Sequence, residues 1–257
     1  MPAPNRTPGD ALDPRPLHER IATDLRREIL EGDLKAGDDL PSTADLKARF
    51  NASSASVQKA VSMLKADGLV RGRPGAAVTV LEVRRRDLTP AAYSQPAEPG
   101  EPYRWITEAE RNGQLPKIQI LEVAEVKPPG DVREAMGLGD DGRALVRKQL
   151  LSFGQEPCEL VKSYYPLELA RDTALMARTK IKGGSPTLLA EMGFPPVRTL
   201  DKVTAEEPTN EEYETLRLPR QNPVLRTFRL VYSTDDRIIE VTTMAKAGHL
   251  YALRYTF

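Results

Sequence analysis

The stretch "NASSASVQKAVSMLKADGLV", Asn51 to Val70, decides how the first half of the chain folds. It opens on a cluster of serines, carries apolar residues at helical spacing and stops at a glycine. Val57, Ala60, Val61 and Leu64 recur at i, i+3, i+4 and i+7, which predicts one buried helical stripe. Ser53 is placed to cap this helix and Gly68 to end it. A rotation of about 100° per residue turns Ala55, Gln58, Lys59 and Ser62 to the opposite face, with Ser54 and Ser56 at the N-terminal tip.

Upstream, Leu17, Ile21, Leu25 and Ile29 recur every four residues and predict a helix from about Leu17 to Glu31, closed by Gly32. A turn-rich connector, "DLKAGDDLPS", leads to Ser42, an N-cap for a short helix over "TADLKARF". Downstream, "LVRGRPGAAVTVLEV" reads as two short strands around a glycine-proline turn, with Arg71 and Arg73 near its tip. Helix, short helix, tight turn, helix and hairpin make a winged helix-turn-helix pattern.

Short side chains let a helix come close to another surface, while hydroxyls and amide protons at its start suit phosphate oxygens. Gln58 and Lys59 have the reach for base edges or backbone. The charge distribution agrees. The chain has 257 residues and a formal net charge of +0, yet Leu46–Arg86 holds nine basic residues against Asp67 and Glu82, a local +7. That is the footprint of one DNA-binding module inside a balanced protein; a solvated basic face is the alternative.

The rest of the composition excludes several classes. At 40% hydrophobic and 29% charged residues, the chain is composed like a soluble globular protein, with no apolar run of the ~20 residues that cross a membrane. The first residues, "MPAPNRTPGDALDPRP", lack the apolar core of a signal peptide, and the single cysteine, Cys158, fits a reducing cytoplasm. With His18 and His249 the only histidines, a zinc site or a Cys-His nucleophile pair is excluded, and no cofactor is expected.

From about Pro16 to Val80 the chain resembles the winged helix of GntR-family bacterial transcription regulators, through "GDLKAGDDLPS" and "AVSMLKADGLV" above all. The resemblance implies double-stranded DNA as partner. The residues expected to face it are Ser42, Thr43, Lys47, Ser53, Ser54, Ala55, Ser56, Gln58, Lys59, Arg71, Arg73 and Gly75. Two departures stand out. The family usually has arginine where this chain has Ala44 and Ser54, and its Gly-x-Gly wing is here Gly75-Ala76-Ala77, so its usual operator is not implied.

After Glu82 the composition shifts. "LEVRRRDLTPAAYSQPAEPGEP" has no periodicity and reads as a linker, giving expected bounds of 14–81 for the first domain, 82–102 for the linker and 103–257 for the second domain. Arg84, Arg85 and Arg86 either touch phosphates or keep the linker soluble. Six segments then read as strands: "KIQILEVAEVK", "GRALVRKQLLSF", "CELVKSYYP", "PVRTLDKVTAEE", "PVLRTFRLVYS" and "RIIEVTTMAKA". Between them lie the short helical pieces "GDVREAMGL", "SPTLLAEMGF" and "TNEEYETLRL", the last with Thr209 and Glu212 at capping-box spacing. The fold class is α+β with a mostly antiparallel sheet.

The second half, Pro102 to Phe257, resembles the UTRA ligand-sensing domain of the HutC branch of that family, through "LVRKQLLSFGQEPCELVKSYYP", "SPTLLAEMGF" and "AGHLYALRYTF" among others. The resemblance implies a chorismate lyase-like fold, a small-molecule cleft and homodimerisation through this domain.

On the strand "ALVRKQLL", Arg147 and Gln149 share a face, and a turn centred on "FGQE" returns Glu159 nearly opposite Gln149. An Arg beside a Gln and a Glu suits an anionic or polyhydroxyl ligand; a surface Arg-Glu cross-strand pair is the plainer alternative. The resemblance implies that Arg147, Gln149, Glu159, Glu240 and Lys246 line the effector pocket. The family often has arginine at the position of Gln149 and an aromatic residue at that of Lys246, and these departures weaken any inference of a phosphosugar. "KGGSP" lacks the ending of a phosphate loop, Cys158 reads as a half-buried strand residue, and Trp105 as packing. The expected function is a sequence-specific DNA-binding regulator, a repressor whose operator binding responds to an effector. The alternatives are a lyase-type enzyme using Arg147 and Glu240 on a carboxylate, a ligand-insensitive DNA binder, or a winged helix used for protein contacts.

Overall fold

The four-residue spacing of the first apolar stripe folds into α1 (Leu17–Glu31), which buries Ile21, Ala22, Leu25 and Ile29 and ends at Gly32 with φ 86°. The computed structural model describes residues 13–72, 76–82, 86–88, 93–220 and 222–253. They fall into two compact units that divide between Arg84 and Arg85.

In the first unit, α2 (Thr43–Phe50) starts on a capping box in which the Ser42 hydroxyl accepts from Asp45 N–H and the Asp45 carboxylate accepts from Ser42 N–H. Asn51, at φ 46°, makes the left-handed turn into α3 (Ser54–Ala66), capped by Ser53. Val57, Ala60 and Leu64 are buried against α1, and Val61 is half-buried. The hairpin of β1 (Val70–Arg71) and β2 (Thr79–Val80) follows. The connector before α2 is more than a turn: Leu40 N–H donates to Val78 O at 2.7 Å and Val80 N–H to Asp38 O at 2.8 Å, so it lies alongside the wing. An ion pair from Arg26 on α1 to Asp67 closes the end of α3. Asp67→Ala is expected to cost about 1 kcal/mol and to speed amide exchange along α1 by roughly fivefold, since this pair is only partly shielded from water.

The second unit carries β3 (Arg86–Leu88), α4 (Arg104–Arg111), β4 (Pro116–Val126), α5 (Gly130–Ala135), β5 (Ala144–Phe153), β6 (Glu156–Pro166), α6 (Leu167–Ala170), α7 (Gly184–Glu191), β7 (Arg198–Glu206), α8 (Asn210–Thr215), β8 (Val224–Tyr232), β9 (Ile238–Ala247) and β10 (Tyr251–Leu253). The six long strands form one antiparallel sheet in the order β4-β5-β6-β9-β8-β7, as the alternating Val/Ile/Thr-rich segments imply. β3 pairs in parallel with β10. The capping box of Thr209 and Glu212 at α8 is formed. Two short helices, α4 and α6, lie in segments that carry no helical expectation.

One register differs from expectation. The β5–β6 turn does centre on Gly154-Gln155, but a bulge lies beyond it: Ser152 faces Pro157 while Leu151 faces Glu159. Cys158 is the extra residue, fully buried, with its Sγ 3.2 Å from Leu151 O. Glu159 therefore lies opposite Leu151, and Gln149 opposite Val161. An unbulged hairpin would set Glu159 against Leu150, on the other face. The bulge brings Glu159 to the face that carries Arg147 and Gln149.

Candidate functional site

Two regions concentrate the expected site residues. On the first unit, Ser42, Thr43, Lys47, Ser53, Ser54, Ala55, Gln58, Lys59 and Arg71 are exposed and Ser56 is half-buried. The Ser53 hydroxyl accepts from Ser56 N–H at 3.2 Å, and the two hydroxyls are 3.1 Å apart. Lys47, Lys59 and Arg71 have no salt-bridge partner among the described residues. Lys65, by contrast, is spent on the fold, donating to Gly72 O at 3.1 Å. Arg73 and Gly75, as well as Arg84 and Arg85, lie outside the described residues.

The second region is a cavity of about 440 Å3 over one face of the six-stranded sheet. All five residues expected there, Arg147, Gln149, Glu159, Glu240 and Lys246, line it. Strand pairing lays its floor in three rows. The first runs Arg147, Ser163, Thr242, Arg229 across β5, β6, β9 and β8, and Asp201 on β7 continues it beyond the lining. The next runs Ile120, Gln149, Val161, Met244, and the third Ile118, Leu151, Glu159, Lys246. The roof is chain from Tyr93 to Ile106 and the entry to α7. Ala97 N–H donates to the Thr187 hydroxyl at 2.9 Å and Arg104 Nε to Pro96 O at 2.7 Å, fastening this segment down. A Cβ on Gly184, whose φ is 82°, would come within 2.5 Å of the Tyr103 ring, so glycine is what lets α7 close against it.

The charges in the cavity are arranged differently from the expectation. Arg147 is 1% exposed, so it is not half of a surface Arg-Glu pair. Its Nη1 donates to Leu175 O and Ala177 O, both at 2.6 Å, and its Nη2 to Thr179 O at 2.8 Å. Burial pulls its pKa down. Arg147 thus clamps the segment before α7 onto the sheet, a task that suits a planar fork of donors. The partner of Glu159 is Lys246, at 3.1 Å. Glu240 is 8% exposed, and its carboxylate accepts from Ser163 at 2.9 Å, Thr242 at 2.5 Å and Ser185 at 3.3 Å. Gln149 is half-buried with no hydrogen-bond partner for its amide among the described residues.

Sequence reasoning missed a further set. Arg229 makes a two-pronged contact with Asp201 at 2.7 and 2.6 Å and donates to the Ser94 hydroxyl at 2.7 Å. Burial opposes the charge on Arg229, but Asp201 outweighs it and the pKa is raised. Trp105 stacks on Phe153 at 5.2 Å and also lines the cavity. The period-two alternation of "RTFRLVY" could have flagged Arg229 as inward-facing; nothing in the sequence placed Tyr93 and Ser94, which fall within the segment read as linker.

Known proteins share this order of domains. Residues 17–80 match the model of bacterial regulatory proteins of the gntR family, and residues 111–252 that of the UTRA domain. An HTH-type transcriptional regulator of Streptomyces coelicolor, itself uncharacterized, is 24% identical over 94% of this chain and 93% of its own length. The mannosyl-D-glycerate transport/metabolism system repressor MngR of Escherichia coli is 22% identical over 90% of this chain and 91% of its own. Among solved structures, a GntR-family regulator is 23% identical with a TM-score of 0.62, covering 95% of this chain and 98% of that one. PhnF from Mycobacterium smegmatis is 18% identical with a TM-score of 0.56, covering 92% and 98%. These relatives are transcription regulators, so the lyase-type alternative falls away, and no helix among the described residues is long and apolar enough to cross a membrane. With a winged helix-turn-helix first and a UTRA domain over more than half its length, the chain belongs to the gntR family of bacterial regulatory proteins.

Proposed function

We infer that this DNA-binding regulator is a homodimeric repressor of the HutC branch, working in the cytoplasm on an inverted-repeat operator and released from it by a small molecule in the sheet-domain cavity. The observation that carries this is convergence: five residues spread over about a hundred positions line one cavity, in a domain joined to a winged helix. A ligand shifts DNA affinity only by binding two arrangements of the protein differently, and a typical coupling of 1–3 kcal/mol is ~5–150-fold. One winged helix reaches one half-site, so paired half-sites call for a dimer. MngR carries the word repressor in its name, which supports the direction.

The contact set on DNA is proposed as the N-termini of α2 and α3, with Ser42, Thr43, Lys47, Ser53, Ser54, Ala55 and Ser56, then Gln58 and Lys59, and the wing with Arg71, Arg73 and Gly75. Lys59→Ala is expected to weaken binding to every sequence and to reduce the slope of log affinity against log salt by ~1. Gln58→Ala should instead relax preference at one base pair, by ~1–3 kcal/mol. Fluorescence anisotropy on operator and scrambled duplexes across a salt series separates the two. If neither variant changes binding, α3 is not the recognition helix.

A further inference from the structure

The charges buried in the sheet-domain cavity are balanced once the partner of Arg229, Asp201, is counted with them. Its buried cations are Arg147, Arg229 and Lys246, and its buried carboxylates are Glu159 and Glu240; half-buried Asp201, beside the cavity lining, pairs with Arg229. Two of the cations are committed to carboxylates, and the third is bound through three backbone carbonyls. Among the described residues, no buried cation is left over to neutralise an anion from outside. Lys180 and Lys182 also line the cavity, but both are exposed to water, where charge is screened.

What the walls leave open is hydrogen-bonding capacity. A carboxylate offers about four lone-pair sites, and the Glu240 oxygens accept three hydrogen bonds. Gln149 brings a donor and an acceptor, both without partners among the described residues. Arg147 Nε and Trp105 Nε1 are buried donors with no acceptor among the described residues, both on cavity-lining side chains. Between the polar row and the Glu159–Lys246 pair runs an apolar stripe of Ile120, Val161 and Met244.

We propose that the effector is an electrically neutral, polyhydroxylated molecule of sugar or alditol type, and not a phosphate ester or carboxylate. Hydroxyls both donate and accept, so they match Glu240 and Gln149 together, and the C–H face of such a molecule lies on the apolar stripe. An added net charge would be buried without a counter-charge, which a low-dielectric site penalises heavily. This rests on the cavity being the effector site, and it settles what kind of molecule that site takes.

The test uses the full chain in thermal-shift titrations at constant ionic strength. Inorganic phosphate and sulfate are expected to give no saturable stabilisation of the wild type. Gln149→Arg, which adds a cation with Ile120 and Val161 rather than a carboxylate directly across from it, is expected to acquire one. Saturable phosphate binding by the wild type, or none by Gln149→Arg, overturns the proposal. A second arm compares neutral hexoses, disaccharides and alditols with their phosphate esters and uronic acids. At least one neutral member should bind, with its charged counterpart weaker by roughly tenfold or more. A tighter charged counterpart, or no neutral binder, also overturns it. A neutral ligand that binds but leaves operator affinity unchanged refutes the cavity as a regulatory site while leaving its charge preference intact.

Discussion

Arg147→Ala is expected to destabilise the ligand-free sheet domain by about 3–5 kcal/mol, because it strips the donors from three carbonyls in a site closed to water. Leu175 O, Ala177 O and Thr179 O lie on the stretch that leads into α7, and the Arg147 guanidinium is what ties all three to β5. For a domain of this size each kcal/mol moves the midpoint by roughly 2–4 °C, so a fall of roughly 6–20 °C is expected. Arg147→Lys should not rescue, since an ammonium on a flexible stem cannot hold three acceptors in the plane of a guanidinium. The single tryptophan, Trp105, sits buried in this domain against Phe153 and reports its unfolding by fluorescence. Were Arg147 held in reserve to grip an anion, removing it would leave the ligand-free urea midpoint unchanged or raised. That result would return Arg147 to the role its place in the sequence first implied.

What the sequence made legible was whatever depends on near neighbours. The helix spanning Leu17–Glu31, the Ser42 and Ser53 caps and the stripe of Val57, Ala60 and Leu64 are local patterns, and they fold as local patterns require. The six long strands were equally readable, because β-branched and aromatic residues bounded by glycine or proline leave little choice. Which side of the sheet each residue faces was less secure. It hinges on single insertions, and the one hint of the bulge at Cys158 in "GQEPCEL" is Pro157, which has no N–H for the ladder of a central strand.

Partners distant in sequence were the least legible part. Arg147 was read from its own strand, where its neighbours suggest an open ligand grip. Its acceptors lie 28 to 32 positions away, on carbonyls that leave no trace in side-chain identity. The pairing of Glu159 with Lys246 needed β6 beside β9, a neighbour relation that skips two intervening strands in the chain. The roof shows the same limit. Proline, alanine and glutamate suggested a linker throughout 82–102, yet Tyr93 and Ser94 are buried because Arg229 and the cavity wall receive them, a fact that lies in the tertiary fold alone.

Lys246→Met should be as costly as Arg147→Ala but reversible by a second change. The Glu159–Lys246 pair is almost dry, with side chains 5% and 6% exposed, and among the described residues the further hydrogen-bond partners of the Lys246 ammonium are Thr227 and Met244, at 3.3 Å each. Removing the ammonium alone strands a carboxylate in that setting, at a cost of about 3–5 kcal/mol. Glu159→Gln alone strands the ammonium and should cost a similar amount. The double variant removes both charges while keeping shape, and such replacements of a buried pair are neutral or stabilising within a few kcal/mol. A double-mutant cycle by urea denaturation is therefore expected to give a coupling above ~2 kcal/mol, in the upper range for contacting residues. A coupling near zero would mean that water reaches the pair and screens it. The same cycle bears on function, because each single change gives the cavity a net charge and the double change restores balance. Binding of any neutral ligand should then weaken in both single variants and recover in the double, in parallel with stability. Recovery of stability without recovery of binding would place one of these two side chains in direct contact with the ligand.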